Sequence, residues 1–412
     1  MKTRPGLALA VHALIRIAAS ADGVLVGLSL AQLRREHGGV PVSLAGVLGA
    51  VAYGLELMAS VPAGLAADAF SPRGVMALGA LIGASGTWLF SFTTRLPLLI
   101  VSRMLQGLGV AAVTPPLLTW LARVSAGAPA RRARLMSFFE LSMLGGVALG
   151  GLVGSRLWTW LGRAAFGALA LVGLSSAPLL YASAGRMPPG EPRAALIGLR
   201  QALRHPAVQR LAPSWVCINA IVGLWLGPTL AFLLTEPSRS HQYLDGLFAA
   251  RPTDFGWLML GYTLVFGIGV ALWSLLLPRV HARSVWRVSL AAMLAVCALL
   301  FAFNHSADWS RGPRGALLGG AALLIVVESG FTPAALSYLA QALEPISGKG
   351  AAMGLYSLLL GVGAVAGSLL AAVCGALWQI DGLLLGTALL TVIALGVLPR
   401  GERSFEPIEQ AA

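Results

Sequence analysis

Charge is scarce in this sequence. Only 11% of its 412 residues are Asp, Glu, Lys or Arg, against about 25% in ordinary soluble domains, while 57% are apolar. Such a chain cannot cover a globule with polar surface, so lipid is its expected solvent. Lysine is nearly missing: Lys2 and Lys349 are the only two, and arginine carries the net charge of +13. Those arginines fall between apolar runs rather than in stripes interleaved with aromatics. No zinc-finger, RNP-like or basic-helix pattern occurs, so nucleic acid is not the expected partner. Cysteine is rare as well. Cys217, Cys297 and Cys374 lie far apart within apolar runs, and no Cys-x-x-Cys or Cys/His spacing points to a metal or a disulfide. Enzyme signatures are also missing. The "SGKG" around Lys349 lacks the upstream glycine and the following hydroxyl of a phosphate loop. There is no Gly-x-Ser-x-Gly elbow and no metal-binding helix motif. The chain is therefore expected not to be an enzyme, to need no cofactor, and to draw on an ion gradient rather than on ATP.

What is present is long apolar runs. A membrane-crossing helix needs about 20 mostly apolar residues, and twelve runs qualify, near 8–32, 43–67, 74–93, 97–122, 135–160, 164–184, 211–235, 256–277, 285–303, 315–340, 351–376 and 380–398. They are long and lack alternation of period two, so helices are expected rather than a barrel. The first run follows Lys2 and Arg4 as a signal peptide would, but it continues past Asp22 to about Leu33 without a cleavage site and reads as a span.

The basic residues orient these spans. With both termini on the cytoplasmic side, eighteen Lys and Arg fall in inner segments and nine in outer ones. That is the bias expected of a protein with cytoplasmic termini. The longest inner connection, 185–210, opens with Pro and Gly as a linker does. It continues with Leu196, Leu199 and Leu203 at helical spacing, flanked by Arg193, Arg200 and Arg204, which predicts a short helix at the inner lipid surface.

The linker separates six runs from six, and the chain repeats across it. "VTPPLLTWLAR" at 113–123 and "FTPAALSYLAQ" at 331–341 share Thr-Pro, a hydroxyl, an aromatic and Leu-Ala, a register of six helices. The next span continues it with a slip of one residue: Met136, Phe139, Gly146 and Gly150 answer to Met353, Tyr356, Gly363 and Gly367. The glycines are four apart, the spacing that brings helices close. The expected fold is therefore all-α, with twelve transmembrane helices in two six-helix pseudo-symmetric halves. The expected divisions are 1–184, a linker at 185–210, 211–398, and a cytoplasmic tail at 399–412.

Residues 103–112 read "RMLQGLGVAA", and Arg103, Gln106, Gly107 and Gly109 match the fourth-helix signature of the major facilitator superfamily, which the chain resembles. The inner loop "GLAADAFSPRG" is similar to that family's inner-loop motif at Gly64, Asp68 and Arg73, and departs from it at Ala69, Ser71 and Pro72. The fifth run, "GGVALGGLVG", resembles the glycine-rich motif of family exporters without its Gly-Pro pair. The resemblance implies a central cavity ringed by the first, fourth, seventh and tenth helices, and halves that rock to alternate access. It also implies a link between Arg103 and proton-coupled transport.

Six ionisable residues fall inside spans: Arg16, Asp22, Glu56, Arg103, Glu140 and Glu328. Such groups are costly in lipid and face cavities or partners. At a rise of about 1.5 Å per residue, Asp22 and Arg103 both lie roughly 21 Å above the inner face, with Arg16 at roughly 12 Å and Glu56 at roughly 10 Å. Two pairs are thus expected, Asp22 with Arg103 and Arg16 with Glu56. Pairing holds a carboxylate ionised and lone burial does not. Asp22, Glu56, Arg103 and Glu328 are accordingly the candidates for proton coupling, with simple structural ion pairs as the alternative. Glu328 has no embedded base in its own half. Its alternative is a carboxyl bonded to Thr332. Glu140 lies nearer the inner face, where the 2–3 loop or Arg16 is a possible partner. Arg16, Gln106, Thr114, Pro115, Glu140, Thr332 and Pro333 are the candidates for lining the substrate cavity. The prolines free backbone carbonyls there, or else merely kink their helices.

The leading expectation is a secondary transporter, an antiporter exporting a small amphipathic molecule in exchange for protons from the bacterial cytoplasmic (inner) membrane. Its expected partners are that small molecule, protons and the lipid bilayer, and it is expected to act as a monomer. Proton-coupled uptake of an organic anion or nutrient is the alternative within transport. A non-transporting membrane scaffold or assembly factor is the alternative outside it.

Overall fold

The structure is a computed structural model that describes residues 4–125, 127–185, 192–237, 240–342 and 349–398. Lys2, the opening of the linker at 186–191 and the tail at 399–412 lie outside the described residues. The helices are α1 (Pro5–His37), α2 (Val42–Ala69), α3 (Pro72–Phe92), α4 (Leu96–Val124), α5 (Pro129–Leu161), α6 (Ala164–Ser183), α7 (Pro192–Arg204), α8 (Pro206–Trp225), α9 (Pro228–Thr235), α10 (Thr253–Leu276), α11 (Ala282–Asn304), α12 (Arg311–Glu328), α13 (Phe331–Ala342) and α14 (Lys349–Val397). Proline opens six of them, at Pro5, Pro72, Pro129, Pro192, Pro206 and Pro228. Its fixed φ suits the first turn, and its missing N–H costs nothing there.

These helices give the twelve crossings. Two crossings are broken rather than continuous. The seventh is α8 and α9, interrupted at Leu226–Gly227, and the tenth is α12 and α13, interrupted at Ser329–Gly330. α14 contains the last two crossings, turning at Trp378 and at Gln379, whose φ of +49° is left-handed. Such a conformation costs a non-glycine residue about 1–3 kcal/mol. Gln242 supports it by donating to the Trp378 carbonyl (2.9 Å) and accepting from the backbone N–H groups of Ile380 (3.0 Å) and Asp381 (3.2 Å). An even number of crossings puts the start of α1 and the end of α14 on one face, where the Arg4 N–H donates to the Ser183 carbonyl at the end of α6. This is the terminal face below, and its opposite is the far face.

The glycines spaced by four set the closest helix contacts. A methyl on Gly146 would lie 2.7 Å from Cβ of Arg16, and one on Gly154 would lie 2.8 Å from the Ala21 carbonyl, so α5 presses on α1. Gly363 and Gly367 press α14 onto α8 in the same way, with a methyl on Gly363 only 2.7 Å from the Val216 carbonyl. The repeated motif therefore makes the same joint twice, fifth crossing on first and eleventh on seventh. Helix α7 forms where the linker's leucine stripe predicts a helix, but its Leu199 and Ala202 side packs into the protein with Leu211, Trp286 and Leu398. Arg200, Leu203 and Arg204 remain exposed.

The first six helices meet the later ones towards the far face. α1 touches α9, where Gly27 faces Ala231; α2 touches α14, where Gly46 faces Ser368 and Ala372; α5 touches α10, where Gly151 faces Met259. Polar contacts close the same end. Arg34 pairs with the buried Glu236 (2.9 Å) and lies over Phe232 (5.7 Å), and Arg35 donates to the Thr235 carbonyl (3.0 Å).

Candidate functional site

Asp22 and Arg103 meet. The Arg103 Nη1 donates to Asp22 Oδ2 at 2.6 Å, and both side chains are buried. Gln106, one turn along α4, accepts from the same Nη1 (2.5 Å) and donates to Asp22 Oδ1 (3.0 Å) and to the Thr87 hydroxyl (3.3 Å). Arg103 Nε donates to the Leu48 carbonyl of α2 at 3.1 Å. Both carboxylate oxygens accept a hydrogen bond and Arg103 donates from Nε and Nη1, the added bonding by which a buried ion pair offsets its desolvation. The sequence indicates Gln106 but not Thr87, a threonine on α3 with no motif around it.

Leu48 joins this cluster to the contact between the two sets of helices. It sits between Gly46, packed on Ser368 and Ala372, and Gly49, where a methyl would lie 3.1 Å from Pro228. The Arg103 bond thus ends one residue from the seam.

Arg16 and Glu56 share a depth but are not in direct contact. Among the described residues no ion pair joins them, and the Arg16 Nε is buried without a hydrogen-bond partner, although the two charges lie within electrostatic range. Equal depth did not fix equal azimuth. The Cβ of Arg16 lies under Gly146 of α5, while Glu56 lines a pocket between α2, α4, α5 and α14. That pocket has a volume of about 40 Å³ and includes Tyr53, Ser60, Thr114, Pro115, Leu360 and Gly361 in its lining. Both sets of helices contribute to it. Thr114 and Pro115 thus stand at a shared cleft, and Thr332 and Pro333 are not among its lining residues. The Glu140 side chain lies outside the described residues.

Glu328 is the last residue of α12, at the break in the tenth crossing. It is half-buried and, among the described residues, makes no hydrogen bond to Thr332. Pro333 cannot donate to the Ser329 carbonyl four residues back, and the chain opens at Ser329–Gly330. The carbonyls near the break are met from outside. Trp273 of α10 donates through its indole N–H to Val326 (3.1 Å) and Val327 (3.0 Å), and Ser289 of α11 donates to Val327 (3.1 Å). A methyl on Gly330 would lie 2.6 Å from the Trp273 ring. Sequence reasoning missed both donors, because a tryptophan among apolar residues reads as core or as an interface anchor.

The inner-loop residues are divided. Asp68 pairs with Arg123 at the end of α4 (2.6 Å), and Arg73 lies over the Tyr181 ring (4.5 Å). A methyl on Gly64 would meet nothing within 4 Å. Near Arg16, His12 is fully buried and stacks on Phe139. The Ser142 hydroxyl donates to the Phe139 carbonyl (2.6 Å), which leaves it to accept from His12 Nδ1 (2.7 Å). Of the aromatics, Trp120 is fully buried, Trp225 donates to Thr387 (2.7 Å), and Trp257 lies half-exposed under Arg156 (5.8 Å).

Comparison with known proteins places this geometry in a wider group. The family model of the Major Facilitator Superfamily matches residues 13–242 and 226–410. A solved structure described as a bacterial homolog of the human lysosomal transporter Spinster, inward-facing and unoccupied, superposes with a TM-score of 0.69. The superposition covers 97% of this chain and 96% of that one, at 14% identity, a likeness of fold. A multidrug resistance protein B homolog from Mycobacterium tuberculosis (strain CDC 1551 / Oshkosh) is 37% identical over 115 residues, and its counterpart in strain ATCC 25618 / H37Rv gives the same figures. The match spans 26% of this chain and 21% of each relative's length.

Proposed function

The chain belongs to the Major Facilitator Superfamily, and from that premise we propose that this secondary transporter exports a small amphipathic molecule in exchange for protons by alternating access. Its halves are 1–184 and 211–398, joined by the linker at 185–210. The terminal face is cytoplasmic, as the arginine bias indicates, the membrane is the bacterial cytoplasmic membrane, and the working unit is a monomer.

The observation that carries this reading is the path from Asp22 through Arg103 to the Leu48 carbonyl, one residue from Gly49 at the seam. Protonation of Asp22 removes the charge that holds the guanidinium, so Arg103 relaxes its hold on α2 and the far-face contacts part. Deprotonation restores the bond and closes them. A carboxylate fully satisfied in one state and released in the other is the bistable element that coupling requires. Glu328, at the break in the tenth crossing and without a base of its own, serves as a second proton carrier. Export is favoured by the stretch shared with proteins named for multidrug resistance. Arg16, without an ion pair among the described residues, supports the second reading, uptake of an organic anion.

Flux driven by a pH gradient in proteoliposomes tests the coupling. Asp22→Asn and Glu328→Gln should each reduce it by tenfold or more, roughly 1.4 kcal/mol in barrier terms, while ligand binding persists. Unchanged pH-driven flux in both variants removes these residues as carriers. Counterflow of cationic against anionic ligands in oriented vesicles decides the direction and separates the two readings.

A further inference from the structure

Arg16 and Glu56 are opposite charges in one low-dielectric neighbourhood, and the chain holds them apart. Arg103 and Asp22 show what it does when a pair is meant to close: contact at 2.6 Å, with an amide and a hydroxyl completing the network. Arg16 has nothing comparable. Its Nε is buried without a partner, although a guanidinium carries five N–H donors, and the ring of its neighbour His12 is already bonded to Ser142. Glu56 likewise, among the described residues, has no hydrogen bond on its carboxyl, and it faces the cleft beside Tyr53, Ser60 and Thr114. Charges in lipid are tolerated when they find partners, and among the described residues neither of the two charged groups has an ion pair or a side-chain hydrogen bond.

We infer that the cleft between α2, α4, α5 and α14, together with Arg16 of α1, which does not line it but lies within electrostatic range of its Glu56 and Tyr53, is the head-group site of a zwitterionic amphiphile, with Glu56 receiving a cationic group in the cleft and Arg16 an anionic one beside it. The assignment rests on the transporter reading above. A purely anionic ligand would satisfy Arg16 and be repelled by Glu56, and a purely cationic one would do the reverse. Only a ligand bearing both signs removes both desolvation costs at once. The volume of about 40 Å³ takes a small ionic group and not a whole molecule. The remainder of the ligand therefore extends out of the cleft past Leu57, Leu118, Phe139 and Met143, the apolar side of its lining. Leu360 and Gly361 close it from the other set of helices, so occupancy is felt on both sides of the seam.

The test uses the full chain in nanodiscs and three probes of one alkyl length: a sulfobetaine, a quaternary ammonium and a sulfonate. Binding is read as the shift in Tm and as Kd. The wild type should bind the sulfobetaine at least tenfold tighter than either singly charged probe, which corresponds to about 1.4 kcal/mol. Arg16→Gln should move the preference to the quaternary ammonium, Glu56→Gln should move it to the sulfonate, and Arg16→Lys should keep the wild-type order. A wild type that prefers a singly charged probe overturns the assignment. So does an unchanged order in both glutamine variants, or a shift produced by Glu140→Gln in place of Glu56→Gln. If a glutamine variant does not fold, the wild-type order and Arg16→Lys decide the matter. Binding is read without flux, so failure of the Asp22 coupling leaves this result intact, and the reverse also holds.

Discussion

The fourth and tenth crossings carry the same Thr-Pro motif and behave differently. α4 runs unbroken through Pro115 and Pro116, whereas the tenth crossing opens three residues before Pro333. The difference lies in the surroundings. Half of the most apolar stretch of the fourth crossing is buried, against 22% for the tenth. Gly79 and Gly86 bring α3 so close to α4 that a methyl on either would lie within 3 Å of the Ala112 or Ser102 backbone. Close packing along one face holds α4 straight where two backbone bonds are missing. In the tenth crossing Gly330 adds a weak helix residue to the missing bond, and two side chains from α10 and α11 take over the carbonyls. The charges follow the same division. Arg103 sits in the packed crossing with its partner in contact, and its repeat equivalent is the buried Ala321. Glu328 sits at the open one with no ion pair among the described residues. One motif thus yields an unbroken element bearing a closed ion pair and a broken element bearing an acid without an ion pair among the described residues.

The sharpest way to break this comparison is to remove Arg103. Arg103→Met leaves Asp22 charged and buried with only Gln106, which should cost about 3–5 kcal/mol, read as the free energy of unfolding in mixed micelles. The double variant with Asp22→Asn should recover most of that stability while pH-driven flux stays lost. Recovery of neither stability nor expression in the double variant would mean that the cluster supports the fold in some other way.

A smaller effect tests the open crossing. Trp273→Phe keeps a ring against Gly330 and removes the indole N–H shared by Val326 and Val327. Ser289 still serves Val327 and the Ser329 hydroxyl still serves Val326 (2.9 Å), so each carbonyl keeps a donor, and a loss of about 0.5–1 kcal/mol follows. Stability equal to that of the wild type would show that Gly330 and Pro333 set the break without help from α10.

The order of the crossings was plain in the sequence, and so was the last turn: the apolar runs at 351–376 and 380–398 part where Gln379 takes its left-handed conformation. The breaks in the seventh and tenth crossings were not plain. "GLWLGP" and "VVESGFTP" read as continuous apolar runs with proline, and α4 demonstrates that proline alone does not decide the matter. Packing on neighbouring helices does, and neighbours are absent from a linear pattern. The same limit applies to the candidate site. Depth along a helix is counted directly from the chain, which brought Asp22 level with Arg103. Azimuth depends on how each helix is turned, which is why Arg16 and Glu56 share a level without touching. Thr87, Trp273 and Ser289 enter only through third helices, and no spacing within their own segments announces them.

The smallest expected effect is the most discriminating. Glu328→Gln is nearly isosteric and breaks no ion pair among the described residues, so it should change stability by no more than about 1 kcal/mol, because the amide leaves no buried partner unpaired. The same amide change at Asp22 leaves Arg103 buried without its counter-charge and should cost several times as much. Measured side by side, the two variants ask whether an acid in this bilayer is held or free. A loss at Glu328 as large as that at Asp22 would mean that it too is gripped in the resting protein, and the contrast between the packed and the open crossing would reduce to backbone alone. A near-zero change, with pH-driven flux falling as it does in Asp22→Asn, would separate the two contributions: one carboxylate that stabilises the closed seam, and another whose charge state matters only to transport.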